Sequence, residues 1–320
     1  MSFFSRLVNV SRFGIRILKE DLMIRAIVSI AILFCMTSFV QADDVAAGKA
    51  KECGRETLQA AVDSYLEAQK TGDLSKALLA DKVKYIENMI EIKKEQGLWN
   101  TPLAIDFHRS FLDVDACRTF TEVIVAKGDT PYVIGTRLKV DEGRISEIDS
   151  IVTKKGDWLF NAGDYLKYST AEDWRVLNAN ERVDRQTLIN GGNSYFDHFS
   201  DRSVKIPFNT PCARLEGGMY TTKDFDDPNA SCYVGFPEGD DKLPILKRDY
   251  VVDVDMGTVN IFCRFGRPPG MPDSHTFRLV NGKIRYVHTL TPSVPGLDFN
   301  AIMGPPSKSQ PKASAPVDVK

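Results

Sequence analysis

The chain carries one stretch of sequence twice. Arg55-Glu-Thr-Leu-Gln-Ala-Ala-Val-Asp-Ser-Tyr65 is echoed by Arg185-Gln-Thr-Leu-Ile-Asn-Gly-Gly-Asn-Ser-Tyr195. A carboxylate follows each tyrosine at nearly the same distance: Glu87 is 22 residues after Tyr65, and Glu216 is 21 after Tyr195. Each half closes on two strand-like runs, "TRLKVDEGRISEIDSIVT" and "FRLVNGKIRYVHTLTP". A period of about 130 residues is too long for a solenoid unit and has the size of a domain. The 320 residues hold two such units, each large enough to bury a core. The expectation is two tandem copies of one small fold.

The N-terminal region reads as a targeting segment. Met23-Ile-Arg25 is positive, Ala26 to Val40 is an apolar run, and Val40-Gln-Ala42 offers a cleavage site after Ala42. The run is shorter than a membrane span. Residues 1–42 are therefore expected to be a signal peptide with an upstream extension, Met23 being the true start. The mature chain would be secreted or periplasmic, with no membrane contact after cleavage. Loss of these residues removes five basic and two acidic groups, taking the net charge from −2 to about −5. No basic stripe runs beside aromatic platforms, so nucleic acid is excluded as a partner. Export implies an oxidising compartment. Five cysteines remain, so they cannot all pair. One bridge per unit is expected, Cys53–Cys117 and Cys212–Cys232, with Cys263 buried as a small hydrophobe. A single bridge is the alternative.

Helical spacing runs from Arg55 to Gln69, and Gly72-Asp73 ends it. A shorter helix from Leu74 to Leu79, a strand at "VKYIEN" and a third helix from Trp99 to Leu112 are expected next. "CRTFTEVIVA", "PYVIGTRLKV" and "RISEIDSIVT" read as strands split by turns. Helices followed by an antiparallel meander make the class α+β. The expected layout is a first domain at 53–155, a linker packed across the junction at 156–181, a second domain at 182–293 and a disordered Pro-rich tail at 294–320. Residues 207–246 are rich in Gly, Pro and Asp and read as loop. Asp113-Val-Asp115 and Asp253-Val-Asp255 recur at equivalent places and read as the end of a helix or loop before a strand.

"TLQAAVDSYLEAQKTGDLSKALLADKVKYIEN" resembles the opening of a SnoaL-like domain, of the nuclear transport factor two-like superfamily that includes ketosteroid isomerase and scytalone dehydratase. "RSFLDVDAC", "VTKKGDWLFNA", "TPCARLEGGMYT", "DSHTFR" and "GKIRYVHTLT" resemble a family of exported proteins of fungi and some bacteria with two such units in tandem, over about residues 53–292. The resemblance implies a cone: a curved antiparallel sheet wrapped around helices, with a deep pocket. In ketosteroid isomerase a helix-one tyrosine and a protonated aspartic acid form the oxyanion hole and a first-strand aspartate is the base. Tyr65 and Tyr195 match the tyrosine, and Glu87 and Glu216 fall near the base. The protonated acid has no acidic counterpart at Ile134–Thr136 or Ser274–Thr276.

The sharpest local inference comes from Asn281-Gly282, the leading signal for a two-residue type I′ hairpin. It predicts that Val280 faces Lys283, Leu279 faces Ile284, Phe277 faces Tyr286 and His275 faces His288. One face would then carry both histidines with Phe277 and Tyr286, and Arg278 and Arg285 would point to water. Two close imidazoles in an apolar pocket would titrate as a coupled pair with a lowered first pKa, suiting a base near neutral pH. Glu216 and Tyr195 would complete the catalytic set, and Tyr286, Phe277 and Asp253 would contact substrate. Structural cross-strand histidines are the bland alternative. Two histidines with Glu216 would suit a zinc-like ion, but no metal spacing is present, so no metal is expected. In the first unit Tyr65, Glu87 and Asp149 (at the position of His288) could line a lesser site, with His108 on the third helix as a rim or core residue. No Gly-rich phosphate loop, Gly-x-Ser-x-Gly elbow or nucleophilic Cys–His pattern occurs, so no cofactor is implied. The expected activity is acid/base chemistry on a small, apolar organic molecule: isomerisation, elimination, cyclisation or hydrolysis. The alternative is a non-catalytic binding or scaffold protein. The two sheets would pair within one chain, making a monomer with an internal pseudo-dimer.

Overall fold

The computed structural model describes residues 53–222, 227–236, 242–243, 245–298 and 301–302. The expected signal segment and most of the expected tail lie outside them. Ile302 is buried, however, and its carbonyl accepts from the Arg267 amide, so the chain still makes core contacts at that point.

Helix α1 (Arg55–Thr71) forms where Leu58, Ala61, Val62, Tyr65, Leu66 and Gln69 recur every three to four residues, and that stripe is what it buries. Gly72 stops it in the left-handed region at φ 66°, and a Cβ there would meet Pro102 Cδ at 2.7 Å. The strands follow as β1 (Leu79–Glu87), β2 (Ile90–Glu91), β3 (Phe107–Asp113), β4 (Arg118–Val125), β5 (Tyr132–Asp141) and β6 (Arg144–Lys154). The connecting segment holds helix α2 (Ala162–Ala171). The second half repeats the plan with α3 (Arg185–Ser200), β7 (Phe208–Glu216), β8 (Met219–Tyr220), β9 (Ile245–Asp253), β10 (Thr258–Phe265), β11 (Met271–Val280) and β12 (Lys283–Leu290).

Two six-stranded sheets result, ordered β2-β1-β6-β5-β4-β3 and β8-β7-β12-β11-β10-β9. The class is α+β, as expected, and the two halves share one topology. The sheets are mixed rather than wholly antiparallel, because the first strand of each half closes beside the last in parallel (β1 with β6, β7 with β12). The third helix expected over Trp99–Leu112 does not form. A single 3₁₀ turn covers Leu98–Asn100, and Phe107 onward pairs with β4 as strand β3. The short apolar run there fits either period, and pairing with a neighbouring strand decides it. The expected second helix is likewise one 3₁₀ turn, Leu74–Lys76. The stretch expected as loop supplies β7 and β8.

Strand alternation gives every sheet two faces. One face of each sheet lies under its own helix, α1 in the first half and α3 in the second. Gly191 and Gly192 let α3 lie close on the sheet: a Cβ at either would meet Leu279 or Ile261 at 2.6 Å. The opposite faces meet each other. Phe111, Phe120, Ile124, Val133 and Ile151 of the first sheet cluster with Leu215, Val251, Phe262, Tyr286 and Leu290 of the second, and with Tyr165 and Trp174 of the connecting segment.

The duplication also sets the clamps between the halves. Arg55, at the start of α1, forks onto Asp253 at 2.9 and 3.0 Å. Its repeat partner Arg185, at the start of α3, forks onto Asp113 at 2.5 and 2.8 Å. Each aspartate ends a strand of the other half and also takes a backbone amide from across the junction: Leu112 N to Asp253, and Val252 N to Asp113. The recurring Asp-Val-Asp segments precede a strand, as expected, but the element each one ends is itself a strand, β3 or β9, not a helix or loop. Asp253, expected to contact substrate, is committed to this clamp.

Candidate active site on the helix-covered face of the second sheet

The Asn281-Gly282 turn forms as expected, both residues at positive φ (53° and 73°). Val280 faces Lys283 and Leu279 faces Ile284, and there the expected register ends. Arg285 is an extra residue in β12, so Arg278 faces Tyr286, Phe277 faces Val287, Thr276 faces His288 and His275 faces Thr289. A one-residue bulge turns every later side chain of β12 to the other face. The expected His275–His288 pair therefore does not exist: His275 lies under α3, while His288 and Tyr286 point between the sheets. Arg278 is buried between the sheets too, donating to the carbonyls of Met256 and Arg175, not facing water.

The bulge builds something else. Thr289 pairs with Glu216 on its far side, so His275, Thr289 and Glu216 stand in one row across β11, β12 and β7. Tyr195 lies over the row from α3, its ring 5.4 Å from that of His275. Arg214, two residues before Glu216 and thus on the same face, donates from Nη1 to Glu216 Oε1 at 2.5 Å and to the Tyr195 hydroxyl at 3.2 Å. Its Nη2 donates to the Val234 carbonyl, and Phe236 covers the guanidinium at 4.8 Å. That strap is tied to β7 by the Cys212–Cys232 bridge. The Cys53–Cys117 bridge also forms, and Cys263 is a buried free thiol.

At the other end of the row, His275 Nδ1 hydrogen-bonds Asp273 Oδ1, and Thr291 Oγ1 donates to Asp273 Oδ2 at 2.6 Å. Nε2 of His275 makes no hydrogen bond among the described residues. The rings of Phe196, Phe265 and Phe277 enclose the imidazole at 5.0 to 5.9 Å. Two buried polar atoms of this face have no partner among the described residues: Thr289 Oγ1 and Arg214 Nε. Burial pushes the Tyr195 hydroxyl up to about 12; Arg214 pulls it back and Glu216 adds to the rise. The phenol therefore keeps its proton at neutral pH.

The first half keeps the tyrosine and the glutamate on the same scaffold but not the histidine, the aspartate or the arginine. Its equivalent row is Thr136, Ser150 and Glu87, under Tyr65. Tyr65, Thr136 and Ser150 form a chain of hydroxyls at 2.9 Å spacings. Glu87 accepts the Leu98 amide at 2.8 Å, and burial raises its pKa. Tyr85 stands for Arg214 and Ile134 for Asp273. Asp149 does not join the row; it faces the other sheet, where burial lifts it to about 6 despite Arg137. His108 is an exposed residue of β3.

Of the expected site residues, the structure thus brings together Glu216, His275, Tyr195 and Phe277. It removes His288, Tyr286, Asp253 and Asp149, and leaves Tyr65 and Glu87 in the other half. Arg214, Asp273, Thr289 and Thr291 were missed. Arg214 and Asp273 were open to the alternation argument, each being two residues from a residue already singled out.

His288 has a different office. Its Nδ1 meets Glu122 Oε2 at 2.9 Å and its Nε2 meets Glu172 Oε2 at 2.6 Å. Burial opposes its charge, but the two carboxylates prevail and hold the imidazole at about 9, opposite to the lowered value expected. Burial would raise Glu122, yet His288 and Arg109 bring it down to about 2. Tyr165 and Ser169 of α2 donate to Glu122, and Trp174 and Tyr220 donate to Glu172. This is a closed ionic lock joining both sheets and the connecting segment.

A family model described as a domain of unknown function (DUF8021) matches residues 181–291, the half that holds the row. A solved structure from Jannaschia sp. CCS1, named as a SnoaL-like polyketide cyclase, is 17% identical; the match covers 41% of this chain and 99% of that one, with a TM-score of 0.25. No curated protein matches the chain.

Proposed function

We propose that this is an exported enzyme that moves a proton on a small, apolar organic molecule, with its active centre on the α3-covered face of the second sheet. The row of His275, Thr289 and Glu216 beneath Tyr195 carries the reading: the first half keeps the tyrosine and the glutamate (Tyr65, Glu87) but has Thr136, Ile134 and Tyr85 where the second has His275, Asp273 and Arg214. Glu216 is the proton acceptor, aligned by Arg214. Tyr195 accepts from Arg214, which leaves its own proton to meet a substrate oxygen on which charge develops. His275, fixed through Nδ1 by Asp273, presents Nε2 as a second proton-transfer group. The surrounding phenylalanines favour an apolar substrate and strengthen each charge by excluding water. Two disulfides support an oxidising destination. The reciprocal Arg–Asp clamps support a monomer whose halves act as an internal dimer.

Abstraction next to a carbonyl can be read without the natural substrate. The protein is incubated in D₂O with β-tetralone, an activated apolar ketone, and deuterium uptake is followed by mass spectrometry. Wild type is expected to exceed the buffer rate, and Glu216→Gln to return to it. Exchange that persists in Glu216→Gln contradicts the assignment; binding of the ketone with no exchange by wild type makes the protein a carrier.

A further inference from the structure

Three side chains deep on the same face have metal-ligand chemistry. Cys263 of β10 faces Asp273 of β11 directly, and His275 follows two residues on, so all three project from one patch. Their ligand atoms lie within 4.8 Å of one another, with Cys263 Sγ 3.8 Å from Asp273 Oδ1. All three residues are at least 97% buried. The pair equivalent to Cys263–Asp273 in the first half is Val123–Ile134, and the residue equivalent to His275 is Thr136. One half of a duplicated core therefore packs two aliphatic side chains and a threonine where the other carries thiol, carboxylate and imidazole. Packing alone gives no reason for that triple departure.

We propose that Cys263, Asp273 and His275 form a binding site for a zinc-class divalent cation. Thiolate, imidazole and carboxylate are the donors such an ion takes, at about 2.3 Å from sulfur and about 2.0–2.2 Å from nitrogen and oxygen. Ligand atoms around a tetrahedral ion then stand roughly 3.3–3.7 Å apart, so the Cys263–Asp273 separation of 3.8 Å is already close to that spacing, the His275–Asp273 hydrogen bond must open, and no pair of ligand atoms starts more than 4.8 Å apart. Binding exchanges that bond for two bonds to the ion and releases the thiol proton to solvent. Thiolate and carboxylate together neutralise a dication, leaving no net charge in the aromatic surroundings. Thr291, donating to the outer oxygen of Asp273, orients the carboxylate from behind. Three protein ligands leave a fourth position for water or a substrate atom. The site also accounts for an unpaired thiol kept in an exported chain. It stands on geometry separate from the Glu216 reading; with the ion bound, His275 is a ligand and proton transfer rests on Glu216.

The test uses metal alone. The oxidised chain is unfolded and refolded with chelator or with Co²⁺, and absorption is read for thiolate-to-cobalt charge transfer and visible d–d bands. Wild type is expected to hold one ion per chain with both features. Cys263→Val, which copies the first half, loses the thiolate band; Cys263→Ser serves should the valine variant misfold. His275→Gln binds more than ~100-fold more weakly, and Thr291→Val ~10–100-fold more weakly. His198→Gln leaves binding unchanged. Absence of the thiolate band in folded wild type, or cobalt uptake by Cys263→Val and His275→Gln equal to wild type, overturns the site. Neither result bears on β-tetralone exchange.

Discussion

Replacing His288 by glutamine should destabilise the protein strongly in weak acid and little in alkali. The imidazole bridges Glu122 and Glu172 in a buried setting, and its pKa rises from 6.5 to about 9. At about 1.4 kcal/mol for each tenfold change in proton affinity, the rise corresponds to ~3 kcal/mol of stability. A group whose folded pKa is raised contributes fully below its unfolded value and loses the contribution as pH climbs through the folded one. The term is therefore complete below pH 6.5 and fades through about 9. Glu122, lowered from 4.5 to about 2, reports the same ion pair from the other end. Seen from that side, the contribution is present above pH 4.5 and lost as pH falls through about 2, and the two figures must not be added. The lock is at full strength between pH 4.5 and 6.5. Urea unfolding of wild type and His288→Gln, disulfides intact, should differ by ~3 kcal/mol at pH 5.5 and by under ~1 kcal/mol at pH 10. A difference that does not change with pH would refute the ionic account of His288.

Arg185→Met should cost ~3 kcal/mol, because Asp113 is left as an uncompensated buried carboxylate, and adding Asp113→Asn should recover part of it; urea unfolding of single and double variants measures this. Removing the Cys212–Cys232 bridge frees a loop of 20 residues and should lower stability by ~3 kcal/mol, read as a lower melting temperature in Cys212→Ala/Cys232→Ala.

Much of the architecture could be read from residues. The helical stripe Leu58–Gln69, the Gly72 stop, the four strands after it and the duplication all show in local pattern. The disulfide pairing came out as expected because one bridge falls within each half. The site was half legible. Alternation places His275 and Phe277 on one inward face, and the family resemblance, not alternation, points to Glu216 and Tyr195 beside them. The bulge at Arg285 was not legible, because nothing in "VNGKIRYVH" distinguishes a straight ladder from one with an extra residue. It is settled by partners far away: His288 and Tyr286 are drawn between the sheets by Glu122, Glu172 and Trp174. The strand β3 was misread as helix for a related reason, since its period is ambiguous and its pairing with β4 is not local.

The proposed function puts the chemistry in one half of a duplicated fold. Glu87 and Glu216 occupy equivalent positions, each paired with the sixth strand of its own half. Deuterium uptake by β-tetralone in Glu87→Gln and Glu216→Gln compares them directly. Uptake should stay at the wild-type rate in the first variant and fall to the buffer rate in the second. Equal rates in the two would contradict the account.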